Sequence, residues 1–326
     1  MNEQKLHVVT GAAGFIGSQL VDLLLAQNHR VFGLDNFVRG VEGNLNQARK
    51  NPDFTFAEVD VADEGAFLAA MRAHGEGADL IWHLAANSDI AAGGADPSID
   101  LRDTFMTTYC VAQACRLLNI RKLAFASTSA IYGDQGPIAL REDVGPLFPI
   151  SNYGAMKLAG EACLTALSEA ALDHLWIFRF PNVVGGRATH GVIYDFLDKL
   201  VRTPAELQVL GNGAQCKPYL YVDDLLEAML LIVQKAPARI NCFNIGPEDV
   251  GVSVREIAET VVKHASPGAA IVYGSEARGW VGDVPRFHYS VDKLKALGWT
   301  PRCPNSREAV EKAVATQVAE RAGATL

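Results

Sequence analysis

Two tyrosines in this chain stand four residues ahead of a lysine: Tyr153 before Lys157, and Tyr289 before Lys293. On a helix that spacing puts both side chains on one face. An ammonium beside a phenol favours the phenolate and lowers its pKa from about 10 toward neutral. A phenol tuned in this way can take a proton from an alcohol while a hydride leaves the same carbon. Eight tyrosines and 11 lysines in 326 residues yield roughly 0.27 such pairs by chance, so spacing alone selects nothing. Context separates the two. Tyr153 lies in the regular half of the chain and follows Ser127-Thr128-Ser129, where an apolar strand pattern ends. Tyr289 precedes an ordinary amphipathic stretch and is expected to be structural.

A second constellation opens the chain. The apolar run Leu6 to Thr10 leads straight into Gly11, Gly14 and Gly17, spaced G-x-x-G-x-x-G. Gly11 permits a tight turn after a strand. Gly14 lets backbone approach a pyrophosphate, and Gly17 lets the following helix pack closely. The unpaired N–H groups of that helix start then face the phosphates. Asp35 ends the next strand pattern. A carboxylate there accepts from both ribose hydroxyls and repels a 2′-phosphate, which selects NAD over NADP. Arg39 pulls the other way, because arginine accepts a 2′-phosphate. Asp60 and Val61 close a third strand, where they either contact adenine or simply end the strand.

The elements that must position these groups alternate. Strand patterns cover 6–10, 30–35, 54–59, 79–84, 122–127 and 175–180, with helical patterns over 15–27, 63–73, 104–118 and 151–171. That alternation predicts an α/β fold: a doubly wound parallel sheet covered by helices on both faces. After Phe180 it loosens, with strands expected near 218–222 and 242–245 and helices over 253–264, 292–297 and 307–322. The expected division is a nucleotide-binding domain of 1–180 plus about 217–246. A smaller α+β lobe would comprise about 181–216 plus 247–326.

Composition narrows the partners. The net charge of -8 argues against a nucleic-acid surface but not against a small anion held by a few donors. No apolar run reaches membrane-span length, and the first residues lack a signal pattern. The cysteines at 110, 115, 163, 216, 242 and 303 contain no CxxC pair, as expected of reduced thiols in a cytoplasmic protein without a metal site.

The segments TGAAGFIG (10–17), HLAA (83–86), STSAIYG (127–133), YGAMK (153–157), RFPNVVGGR (179–187) and YLYVDD (219–224) occur in order. Together they make the chain resemble an extended short-chain dehydrogenase/reductase of the nucleotide-sugar epimerase and dehydratase branch. The resemblance implies a Rossmann domain with a C-terminal nucleotide-sugar lobe, bound NAD and a homodimer paired through the helices near 104–118 and 153–171. It implies Thr128, Tyr153 and Lys157 as the catalytic set, Thr128 bonding the sugar alcohol and Lys157 also holding the nicotinamide ribose. Phe15, Ile16, Asn36, Leu84, Ala85, Ala86 and Ser127 would line the cofactor cleft. Asn87, Ser88 and Asp89, after HLAA, would face the sugar, as would Ser129. Asn182, Arg187, Lys217, Tyr219, Arg278 and Asp283 would meet the rest of the nucleotide sugar. His83, in a strand-end motif, is expected to be structural, and Thr104 replaces a common family asparagine.

The shared first step of such enzymes oxidises a sugar hydroxyl, usually at C4. The dehydratases carry an Asp-Glu pair after the catalytic Thr, where this chain has Ser129 and Ala130, neither a strong acid or base near neutral pH. The resemblance therefore implies an NAD-dependent 4-epimerase of an NDP-hexose acting through a 4-keto intermediate. The alternatives are another NDP-sugar enzyme on this scaffold, a lyase or net oxidoreductase, and a non-catalytic NAD-binding regulator. The intact catalytic set speaks against the last.

Overall fold

A computed structural model of the chain describes residues 3–136, 138–275 and 288–323. The contacts group into two compact units. One comprises Met1–Gly133, Leu147–Arg179 and Leu230–Phe243; the other comprises Asp134–Pro146, Phe180–Met229 and Asn244–Leu326. Compared with the division expected from sequence, residues 134–146, 180, 217–229 and 244–246 fall in the second unit.

The first unit is built on a seven-stranded sheet. Its strands are β1 (Leu6–Thr10), β2 (Arg30–Asp35), β3 (Phe54–Glu58), β4 (Leu80–His83), β5 (Lys122–Thr128), β6 (His174–Phe180) and β7 (Ile240–Asn244). The order across the sheet is β7-β6-β5-β4-β1-β2-β3. The β1, β2, β3, β4 and β5 neighbours pair in parallel. Parallel neighbours need crossovers, supplied by α1 (Phe15–Ala26), α2 (Glu64–Ala70), α3 (Thr107–Leu117) and α4 (Asn152–Ser168). β1 shows why central strands read as unbroken apolar runs: His7, Val8, Val9 and Thr10 are all buried, because helices cover both faces. Leu20, Val21, Leu24 and Leu25 form the buried stripe of α1. Phe32, Phe67, Met71, Ile81 and Phe125 share one core, each side chain contributing about 1.5–3 kcal/mol by leaving water.

After β3 the chain crosses to the other side of β1, so the strand order reverses between β1 and β4. In such sheets ligands bind beyond the carboxyl ends of the strands at the reversal. The glycine turn leaves β1 there, and Leu84-Ala85-Ala86 leaves β4.

Regularity fails in one place that matters. The helical pattern over 104–118 is a regular helix only from Thr107; Leu101–Met106 is wound as a wider π turn. Thr107 and Thr108 turn their hydroxyls back to the Thr104 carbonyl, at 3.0 Å and 2.9 Å.

In the second unit, Val192–Arg202 buries Ile193, Phe196, Leu197 and Leu200, and Val254–Ala265 starts with a Ser253–Glu256 capping box. Glu206–Val209 pairs in parallel with Ala270–Tyr273, and Asn182–Val184 with Tyr219–Tyr221. The helix Val222–Lys235, which spacing alone did not single out, carries the fully buried Asp224. Its carboxylate accepts the backbone N–H groups of Arg302 (2.7 Å) and Cys303 (3.1 Å). Tyr289 is buried as well, its ring beside Gly246.

Candidate active site

The glycine turn is shaped by what a Cβ would strike. A Cβ on Gly17 would lie 2.0 Å from the Gly11 carbonyl oxygen, and one on Gly11 would lie 3.0 Å from the Ala85 nitrogen. Gly11 also holds φ +73°, a conformation that disfavours a side chain. Gly14 is the N-cap of α1 and offers no side-chain cap, so the first N–H groups of the helix lack a partner from that residue. Phe15 and Ile16 begin that helix half-buried. This cradle of bare backbone donors fits a pyrophosphate.

Asp35 is buried beside it. Its carboxylate accepts the Ala13 N–H at 2.9 Å and the Phe37 N–H at 2.8 Å, tying the β2 end to the glycine turn. Burial pushes its pKa up, opposed by those amides. Asn36, next in line, accepts the Val38 N–H at 3.1 Å. Asp60 is engaged twice, accepting from Ala62 N at 3.0 Å and pairing with Arg102, while Val61 is buried. Arg39 pairs with Asp89 at 2.6 Å. An open cavity of about 530 Å³, lined in part by Phe37, Gly40, Arg49, Phe56 and Glu58, sits at the β2–β3 edge and holds none of the candidate catalytic groups.

The structure brings Thr128, Tyr153 and Lys157 together at the carboxyl end of β5. Ser151 caps α4 by accepting the Gly154 N–H at 3.1 Å, which starts the helix just before Tyr153. Lys157 is buried, with Nζ 5.8 Å from the centre of the Tyr153 ring and 4.8 Å from that of Phe125. It donates to the Ala126 carbonyl at 2.6 Å. The Thr128 hydroxyl accepts the Ala130 N–H at 3.2 Å and lies near enough to the Tyr153 phenol to act on its pKa.

The electrostatics of this cluster differ from the sequence expectation. Burial pushes the Tyr153 phenol up, the Asp100 carboxylate adds to that, and the Thr128 hydroxyl opposes it. Lys157 falls to about 7, again through burial, resisted by Glu161 and Asp100. The ammonium does not outweigh desolvation, because two groups in a poorly hydrated pocket each disfavour their own charged form. Tyr153 as a residue is half-buried.

Sequence reasoning missed two carboxylates. Glu161 lies one turn beyond Lys157, on the face that Tyr153 and Lys157 share. It is held by Arg179 (Nε 3.1 Å, Nη2 2.7 Å) and by the Ser127 hydroxyl, while Arg179 also donates to the Tyr132 hydroxyl at 3.0 Å. The i, i+4, i+8 spacing could have revealed it. Asp100 had no local signal. It is fully buried, accepts Asn87 Nδ2 at 2.9 Å, and leaves Oδ2 unpartnered against Gly93.

The remaining predicted residues divide. Asn87, expected to face a sugar, has its polar groups taken up: its N–H by Thr104 (3.2 Å), its amide by Asp100 and the Asp89 carbonyl (2.9 Å), its Oδ1 by the Asp89 N–H (2.9 Å). Thr104 thus keeps a polar role as a hinge of this network. Ser127 is likewise engaged by Glu161, whereas Ser88 is exposed and Ser129 half-buried. Leu84, Ala85 and Ala86 are half-buried, and the Ala85 N–H donates to Thr10 Oγ1 at 3.2 Å. His83 is structural in its surroundings: fully buried between Thr10 (2.8 Å) and Thr108 (3.1 Å), with its pKa well down from burial. In the second unit, Asn182 and Tyr219 are register partners. The backbone N–H of Arg187 donates to Glu320 (3.0 Å), and Lys217 pairs with Val252. Arg278 and Asp283 lie outside the described residues. Among the described residues no group of three or more His, Cys, Asp or Glu side chains could hold a metal ion, and no helix is long and apolar enough to cross a membrane.

Compared with known proteins, the family described as NAD dependent epimerase/dehydratase matches residues 7–246. The chain is 32% identical over 307 residues to the UDP-glucose 4-epimerase of Mycolicibacterium smegmatis, covering 90% of this chain and 93% of that one. A crystal structure of a UDP-galactose 4-epimerase aligns with TM-score 0.83 and 34% identity over 97% of this chain and 99% of the other. A UDP-glucose 4-epimerase of Thermotoga maritima, solved with UDP-glucose, aligns with TM-score 0.85 and 27% identity over 98% and 100%.

Proposed function

The chain belongs to the NAD dependent epimerase/dehydratase family and its cofactor is NAD; we propose that it inverts C4 of a nucleotide-linked hexose through a transient 4-keto sugar. The observation that carries this reading is the cluster of Thr128, Tyr153 and Lys157 at the end of β5, on the same carboxyl edge of the parallel sheet from which the bare glycine turn leaves β1. Relatives and neighbours that act on UDP-sugars at C4 support the same carbon and substrate class.

In this reading the glycine turn holds the pyrophosphate, Asp35 the adenosine ribose, and Lys157 the nicotinamide ribose. Bound NAD supplies the hydride acceptor and a cationic ring. Tyr153 Oη takes the proton of the C4 hydroxyl and returns it after the keto-sugar has turned over. Thr128 bonds that hydroxyl and aligns it. With the phenol pushed up and Lys157 near 7, the protein groups around Tyr153 do not by themselves favour its phenolate. Tyr153 would give up its proton only where an added positive charge, which bound NAD would supply, favours the phenolate. Ser129 and Ala130 leave elimination of water without the acid–base pair it needs. Asn182, Arg187, Lys217 and Tyr219 are the second unit's candidates for the nucleoside diphosphate. Two copies are expected to pair through α3 and α4, which sedimentation would report.

The test is direct. UDP-glucose, UDP-galactose and their acidic and N-acetyl counterparts are incubated with protein and followed by proton NMR. Inversion at C4 without net NADH is expected, and Tyr153→Phe should lower the rate by about 10²–10⁴ with NAD still bound. Loss of water or carbon dioxide, stoichiometric NADH, or an active Tyr153→Phe variant would refute the reading.

A further inference from the structure

The loops that flank the glycine turn are joined by an ion pair. Arg39 follows β2 and Asp89 follows β4, and β1 lies between those strands, so the pair spans the side from which the glycine turn emerges. Arg39 is rooted beside Asp35: a Cβ on its neighbour Gly40 would lie 2.7 Å from the Asp35 carboxylate. Its guanidinium is nonetheless drawn away, 2.6 Å from Asp89 Oδ2.

Asp89 is built to stay where it is. It caps the short helix Ile90–Ala95, accepting the Ala92 N–H at 3.0 Å. Its backbone is clamped from both sides by the Asn87 amide, at 2.9 Å each way. The Ala92 amide, with Arg39 assisting, also holds its carboxyl below the usual range, so it remains an anion near neutral pH.

We propose that Asp89 is a positioning residue for cofactor selectivity, holding Arg39 away from the 2′ position of the adenosine ribose so that Asp35 alone reads it. Arginine near that ribose would otherwise favour a 2′-phosphate, the opposite of what a buried carboxylate selects. The two signals conflict in sequence, and the ion pair removes the conflict by neutralising one of them. This inference rests on the placement of the dinucleotide over the glycine turn and Asp35 given above.

Full-length protein freed of dinucleotide with charcoal is titrated calorimetrically with NAD and with NADP. Wild type should favour NAD. Asp89→Asn keeps a capping oxygen and should leave NAD within about twofold while tightening NADP at least about tenfold, the scale of one charge-assisted hydrogen bond. Adding Arg39→Ala should abolish that gain, which a purely structural role of Asp89 would not. Unchanged NADP affinity in Asp89→Asn, or a gain that survives Arg39→Ala, would overturn the proposal. Failure of the underlying placement shows separately, as NAD affinity indifferent to Asp35→Ala.

Discussion

Gly17→Ala places one methyl group where the structure has no room for it. The new Cβ would meet the Gly11 carbonyl oxygen at 2.0 Å, about 1.4 Å inside the 3.4 Å where ordinary contact begins, and the Gly11 carbonyl carbon at 2.9 Å. Both are backbone atoms, so no rotamer change relieves the clash. That same carbonyl accepts the Gly14 N–H at 3.1 Å and closes the turn. Either the turn opens or α1 lifts from β1, loosening Leu20, Val21 and Leu24. Overpacking of this kind costs about 1–3 kcal/mol. Spreading the donors by more than an ångström removes most of the pyrophosphate contact, since hydrogen bonds weaken steeply with such displacement. NAD affinity should therefore fall at least about a hundredfold, read by calorimetry, while far-UV circular dichroism stays near wild type. Gly94→Ala is the control, in the helix Ile90–Ala95 with nothing within 4 Å of the new Cβ, and should change neither quantity. NAD binding within twofold of wild type in Gly17→Ala, with an unchanged melting temperature, would refute the reasoning.

Burial first, then His29, pushes His7 from 6.5 down to about 4. The unfolded chain then binds the extra proton between those values, so stability held above pH 6.5 falls as pH drops toward 4. Urea unfolding should show that drop from pH 7 to 5 reduced by about 2 kcal/mol in His7→Gln, which keeps an acceptor for the Trp82 indole. Lys157, lowered to about 7 by burial, costs stability as pH falls from 10.5 to 7 and costs a constant amount below. Lys157→Met should be inactive yet more stable at pH 6, by about 1–3 kcal/mol after the Ala126 carbonyl loses its donor; a less stable variant in chemical denaturation would contradict this. Asp224→Ala strands two amides and should cost about 3 kcal/mol, seen as a lower melting temperature without any change in NAD affinity.

Much of the first unit was legible because its signals are local. β1, β2 and the start of α1 fall on the residues that periodicity marked, since a strand buried on both faces and an amphipathic helix each write their burial into consecutive residues. The helix Val222–Lys235 and the strands Glu206–Val209 and Ala270–Tyr273 were not singled out. Two of these are short parallel partners more than sixty residues apart, whose pairing no local window contains. The π turn at Leu101–Met106 was hidden for another reason: the Thr107 and Thr108 hydroxyls compete for the Thr104 carbonyl, a contest that packing settles.

Residue types and spacing were enough to mark a glycine turn after β1, a carboxylate at the end of β2, and a phenol–lysine pair on one helical face, because each follows from covalent geometry and helical pitch. They could not say how those groups are charged or which are already occupied. Burial sets the proton affinities of Tyr153 and Lys157 against the simple pairwise expectation. Folding also brings up Asp100 and Glu161, ties Asn87 and Ser127 to protein partners, and turns Arg39 toward Asp89. These outcomes depend on the density and dielectric around each group and on neighbours remote in the chain, quantities that exist only once the chain has packed.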